Sequence, residues 1–96
     1  MNKHEEIDKI LTEITSYLKD KGCRKIVLFG SYAEGDSSKH SDIDIAIKGM
    51  SSEDFFKAVA RLSYIVKKQV DLVDLDDIQS SFRNSIEKEG KVLYAG

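Results

Sequence analysis

Residues 42–47 read Asp-Ile-Asp-Ile-Ala-Ile, the strongest constraint on how this chain of 96 residues can fold. At the two-residue period of a β-strand, Asp42, Asp44 and Ala46 share one face while Ile43, Ile45 and Ile47 share the other. Such a strand needs an apolar layer beneath it and presents two carboxylates above. Ten residues separate the pair Gly30-Ser31 from Asp42. At average residue usage this four-point pattern arises by chance in roughly one chain per thousand of this length.

The rest of the chain supplies the layer. From Lys3 to Lys21, Ile7, Ile10, Leu11, Ile14 and Leu18 recur at spacings of three and four, which predicts an amphipathic helix ended by Gly22. In Lys25 to Phe29 both alternating sets are apolar, which suits a strand covered on both sides and stopped at Gly30-Ser31. Residues 32–41 are small, polar and charged, and read as one helical turn and then a loop with Gly35, Asp36 and Ser37 as turn residues. Ser51 or Ser52 then caps a helix that runs to about Lys68 with a stripe of Phe55, Val59, Leu62 and Val66.

A third strand, Val70 to Val73, puts Val70 and Leu72 on the apolar layer and Asp71 on the face of Asp42 and Asp44. Asp76 or Asp77 caps a last helix carrying Ile78, Phe82 and Ile86, which Gly90 ends before an apolar segment, Val92 to Tyr94. Helices alternate with strands, without proline, repeat or linker. The expected architecture is therefore α/β or α+β, a single domain over residues 1–96 with helices on one sheet face.

Composition narrows the function. With 41% apolar residues in so short a chain there is one core and little wall for a deep cleft, so a partner protein or a homodimer is expected to lend surface. A net charge of −2 speaks against direct nucleic-acid binding. The single cysteine, Cys23, makes no internal disulfide. Neither a charged-then-apolar leader nor a membrane-length apolar run is seen, so a cytoplasmic location without membrane contact is expected.

The chemistry follows from the oxygen donors. A nucleoside triphosphate travels with magnesium, which takes octahedral oxygen ligands, usually one or two carboxylates with phosphate oxygens and water. Asp42 and Asp44, about 7 Å apart between α-carbons on one side of a strand, suit sharing one ion or bridging two. Gly30 lets the backbone approach a phosphate without a β-carbon, and Ser31 offers a hydroxyl and an amide at the start of a turn. Asp71 suits a second metal and an acceptor hydroxyl that attacks the α-phosphorus in line, with pyrophosphate leaving.

Plainer readings stand beside these. Asp42 and Asp44 suit solvated acids on an edge strand, Ser31 a helix cap, and Gly30 and Gly35 ordinary turn glycines. Asp74, Asp76 and Asp77 compete with Asp71, although alternation turns Asp74 to the other face and the last two suit caps. His40 reads as a surface loop residue, and His4 and Cys23 lack companions at metal-ligand spacing. The stripe from Phe55 to Val66 reads as core, with any exposed part open to a partner.

Taken in order, the leading helix, Phe29-Gly30-Ser31, Ser41-Asp42-Ile43-Asp44, Val70-Asp71-Leu72 and the closing Glu89-Gly90-Lys91-Val92-Leu93-Tyr94 resemble the minimal nucleotidyltransferases, the MNT or MntA-like antitoxins of the DNA polymerase β superfamily. The resemblance covers nearly the whole chain. It implies a polymerase-beta-like nucleotidyltransferase core, a small mixed sheet flanked by helices. It implies two magnesium ions (Mg2+) held by Asp42, Asp44 and Asp71, ATP as substrate, and triphosphate contacts from Gly30 and Ser31. It also implies a HEPN-domain partner, typically an RNase toxin, neutralised by transfer of AMP to a tyrosine, by complex formation, or by both.

One departure has consequences. Many relatives carry an arginine in the turn, directly after Gly-Ser or just before the second glycine, where this chain has Tyr32 and Glu34. A glutamate a few ångströms from a triphosphate costs on the order of a kcal/mol. Lys39 and His40 stand nearby to offset it, and the change predicts weaker nucleotide binding in an unchanged fold. Two other functions fit the same residues: a binding module that neutralises its partner by occlusion alone, and a transferase acting on a small hydroxylated molecule, for which the chain lacks the length of a substrate domain.

Overall fold

The computed structural model describes residues 3–30, 33 and 42–96. Helix α1 spans Lys3–Asp20, and strands β1 and β2 span Lys25–Phe29 and Ile43–Lys48. Helix α2 spans Ser52–Val66, strand β3 Val70–Asp74, helix α3 Ser80–Glu89 and strand β4 Lys91–Ala95. The strands form one sheet in the order β3-β2-β1-β4, with β1 antiparallel to both β2 and β4 and β3 parallel to β2. This is the mixed sheet flanked by helices that the sequence led us to expect. No helix among the described residues is long and apolar enough to cross a membrane.

The alternation in β2 builds the main core. Ile43, Ile45 and Ile47 are all fully buried against Ile14 and Leu18 of α1 and Ala58 and Leu62 of α2. The expected α1 stripe is thus buried at its C-terminal end, with Ile10 and Leu11 packed half-buried against the same core. The α2 stripe is shifted: Ala58 and Leu62 are buried and Phe55 and Val66 are half-buried, while Val59 is 40% exposed. A helix on a narrow sheet buries only the line nearest the strands, and Val59 lies to one side of it. Ser51 caps α2, its hydroxyl accepting the Asp54 amide at 3.1 Å, and Lys67 in the left-handed region ends it one residue short of the expected Lys68.

The expectation that all helices lie on one face is corrected. Val27 and Ala46 point the other way, where they form a second, smaller core with Leu75 and Ile86 of the C-terminal segment. Both faces of β1 are therefore covered, as its two apolar sets required. Phe82 extends this layer by an edge-on contact with Phe29, ring centroids 6.0 Å apart.

The caps before α3 also differ from expectation. Neither Asp76 nor Asp77 starts the helix; the Asp74 carboxylate accepts the Asp76 amide at 2.9 Å and opens a short 3-10 turn, Leu75–Asp77. Ile78 lies before α3, whose N-cap Gln79 makes no side-chain cap bond. Burial of Leu75 in the smaller core pulls the chain under the sheet first. Arg83 then holds the turn, donating from Nε to the Leu75 carbonyl at 2.6 Å and from Nη2 to the Ile78 carbonyl at 3.2 Å.

Gly90 ends α3 as expected, for a packing reason. A β-carbon there would meet Val27 Cγ1 at 2.5 Å and the Ile86 carbonyl oxygen at 2.6 Å, so only glycine lets the elbow into β4 sit on β1. The segment Val92 to Tyr94 becomes an edge strand. Its register with β1 slips between Ile26 and Val27, and this bulge lets Leu93 and Tyr94, neighbours in sequence, both pack on the main core.

Candidate functional site

Three strands carry the site side by side. Phe29 pairs with Asp44 across β1 and β2, and Asp44 pairs with Asp71 across β2 and β3. Neighbouring strands lie about 4.8 Å apart and partners in a ladder share a face, so Asp44 and Asp71 stand together on the face opposite the three isoleucines. Asp42, two residues before Asp44 and exposed, lies at the entry to β2 in the same phase. The structure brings Asp44 and Asp71 together on adjacent strands, with Asp42 near enough for its charge to act on Asp44, and α3 covers the neighbouring part of this face.

Gly30 closes the site on the β1 side. Its φ of +75° is left-handed, and a β-carbon added there would collide with the Asp44 carboxylate. Glycine is therefore required twice, by the turn and by the acid. The turn is closed by the Ala33 amide, which donates to the Gly30 carbonyl at 3.1 Å. Ser31, like Tyr32, Glu34, Lys39 and His40, lies outside the described residues.

Electrostatics single out Asp44. Its carboxyl is held above the ordinary carboxylate range, first by burial and then by the negative charges of Asp71 and Asp42. Each of these influences disfavours the charged form, and a cation placed among the three acids would oppose them all. The donor set is oxygen alone, which suits a hard divalent ion such as magnesium. Among the described residues no group of three His, Cys, Asp or Glu side chains is arranged to hold a metal ion by itself.

Sequence reading missed Gln69. Its carbonyl accepts the Ile43 amide at 3.0 Å, and its side-chain Nε2 donates to Asp71 Oδ1 at 3.2 Å. It thus ties the start of β2 to β3 and orients the third acid. The available signal was spacing, since Gln69 and Asp71 are two residues apart and share a face. Cys23 is a packing residue: it is buried, desolvation pushes its thiol up, and Sγ donates to the Lys25 carbonyl at 3.2 Å. A surface depression of about 760 Å³ between α1 and β4 is lined by Thr12, Thr15, Ser16 and Lys19 and lies on the far side of the sheet from the acids.

Residues 12–96 match the family model described as polymerase beta, nucleotidyltransferase. The chain is 31% identical over 94 residues to the protein adenylyltransferase MntA of Thermococcus cleftensis, covering 94% of this chain and 93% of that protein. It resembles a crystal structure of a toxin-antitoxin with AMP-PNP at a TM-score of 0.79 and 28% identity, over 90% of this chain and 73% of that one. A complex of the tri-AMPylated Shewanella oneidensis HEPN toxin with its MNT antitoxin matches at a TM-score of 0.74 and 26% identity, over 93% and 72%.

Proposed function

Since this chain belongs to the polymerase beta nucleotidyltransferase family, a family of enzymes, we propose that it is a magnesium-dependent protein adenylyltransferase that moves AMP from ATP to a tyrosine hydroxyl of a HEPN-type partner and so acts as an antitoxin. The observation that carries this reading is the pairing of Asp44 with Asp71 on adjacent parallel strands, with Gly30 pressed against Asp44. The match to an adenylyltransferase along nearly its whole length supports the reaction. The likeness to a complex holding an AMPylated HEPN toxin supports the acceptor.

In this mechanism Asp42, Asp44 and Asp71 would hold the magnesium, and Gly30 and Ser31 would receive the triphosphate. When bound, the metal neutralises phosphate charge and lowers the pKa of the acceptor hydroxyl. Gly30 leaves the main chain free to approach a phosphate. Asp71 lies on the edge strand β3 and accepts a hydrogen bond from Gln69, which supports a role for it toward the acceptor hydroxyl. The acceptor hydroxyl gives up its proton to water, its oxygen bonds to the α-phosphorus, the bond to the β-phosphate breaks, and pyrophosphate leaves.

Incubation with α-labelled ATP, magnesium and the partner should leave label on the partner. Asp42→Ala and Asp44→Ala should abolish it. Label that never appears, or that survives both changes, would overturn the reading. Complex formation that persists in Asp44→Ala without any labelling by the unaltered chain would instead identify an occluding binding module.

A further inference from the structure

Phe82 is a large apolar side chain on the same sheet face as the acids, and it is 45% exposed. Its helix neighbour one turn on, Ile86, is only 2% exposed and packs with Val27 and Ala46. The difference has a geometric cause. Val27 lies mid-strand, whereas Phe82 packs against Phe29, the last residue of β1, beyond which the sheet gives way to the Gly30 turn. The two rings meet edge to face at 82°, and Phe82 keeps 45% of its surface exposed.

That ring stands next to the proposed triphosphate site. Phe29 is the ladder partner of Asp44, so their α-carbons are about 5 Å apart, and one further ring contact of 6.0 Å leads to Phe82. A nucleotide whose phosphates lie at Gly30 and Asp44 has its base displaced from them by the length of the ribose and α-phosphate. A flat, half-exposed aromatic ring offers a base a stacking surface that requires no hydrogen-bond readout.

We propose that the exposed face of Phe82 stacks on the purine base of the bound nucleoside triphosphate, with Phe29 fixing the ring edge-on. The inference rests on the adenylyl-transfer reading for the placement of the phosphates. Phe82 is a base-binding residue here and takes no part in the bond changes.

Calorimetry with Mg-ATP and with magnesium tripolyphosphate, which lacks base and sugar, tests the contact in the unaltered chain, Phe82→Leu and Phe82→Tyr. The leucine keeps an apolar side chain against Phe29 but removes the flat π surface. Phe82→Leu should weaken ATP binding by about tenfold and leave tripolyphosphate within about twofold, and Phe82→Tyr should restore ATP binding. In the unaltered chain, nuclear Overhauser contacts should connect the adenine H2 or H8 to the Phe82 ring. Equal weakening of both ligands, or no change in either, would overturn the stacking. A chain that binds ATP with this signature yet never labels a partner would leave the stacking standing and sink the adenylyl-transfer reading alone.

Discussion

The two faces of β2 are made from the same six residues and do opposite work. On one face Ile43, Ile45 and Ile47 are fully buried beneath α1 and α2. On the other, Ala46 is buried under the C-terminal segment while Asp44, two residues earlier, is left half-buried among like charges. The apolar face supplies rigidity and the acidic face bears its electrostatic cost. A strand can hold mutually repelling carboxylates in phase because the isoleucines between them are locked into a packed layer.

This contrast predicts that neighbouring substitutions in β2 should fail in different ways. Asp44→Ala should reduce adenylyl transfer by about a thousandfold or more while the chain stays folded. Ile45→Ala should instead destabilise the fold by about 3 kcal/mol, measured by urea unfolding, with the residual folded protein still active. If both variants lost stability equally, the division of labour between the faces would be wrong.

Gly30→Ala tests the joint between the faces. Forcing a β-carbon into left-handed backbone costs about 1–2 kcal/mol, and the collision with Asp44 adds to it. Thermal unfolding should show the loss, and transfer activity should fall further than stability alone explains. Gln69→Ala is expected to be milder, with kcat lowered about three- to fivefold and little change in melting temperature, because only the hydrogen bond that orients Asp71 is removed.

The smallest effect has the opposite sign. Because the carboxyl of Asp44 is raised in the folded chain, stability is greatest where it is protonated and falls as pH rises through its folded-state value. Asp44→Asn should therefore raise the melting temperature of the metal-free chain by a few degrees at pH 7. The gain should vanish in acid below the ordinary carboxylate range. Melting curves at both pH values check it, and a loss at pH 7 would show that the negative charge at Asp44 is stabilising.

The central elements were open to reading from sequence because their signals are local. Period-two alternation phased Asp42, Asp44 and Asp71, and the three-and-four spacing placed α1. The Asp74 cap escaped the same reading, since Asp76 and Asp77 look equally suited in sequence and the outcome turned on where Leu75 found burial. Gln69 escaped because its role depends on Asp71 being within reach of its side chain. The β4 bulge escaped because alternation assigns Leu93 and Tyr94 to opposite faces, and only pairing with β1 turns both toward the main core.

The sequence by itself determined the mixed helix-strand order, the isoleucine face, the phase of the acids and the glycine turn, because each depends on contacts within a few residues. Tertiary structure decided which face α3 covers, and with it that Ile86 is buried while Phe82 is left half-exposed beside Phe29 and the Asp44 site. Helical periodicity says that Ile78, Phe82 and Ile86 seek burial. How much apolar surface remains to cover them is settled only when β1, β2 and the turn after β3 have come together.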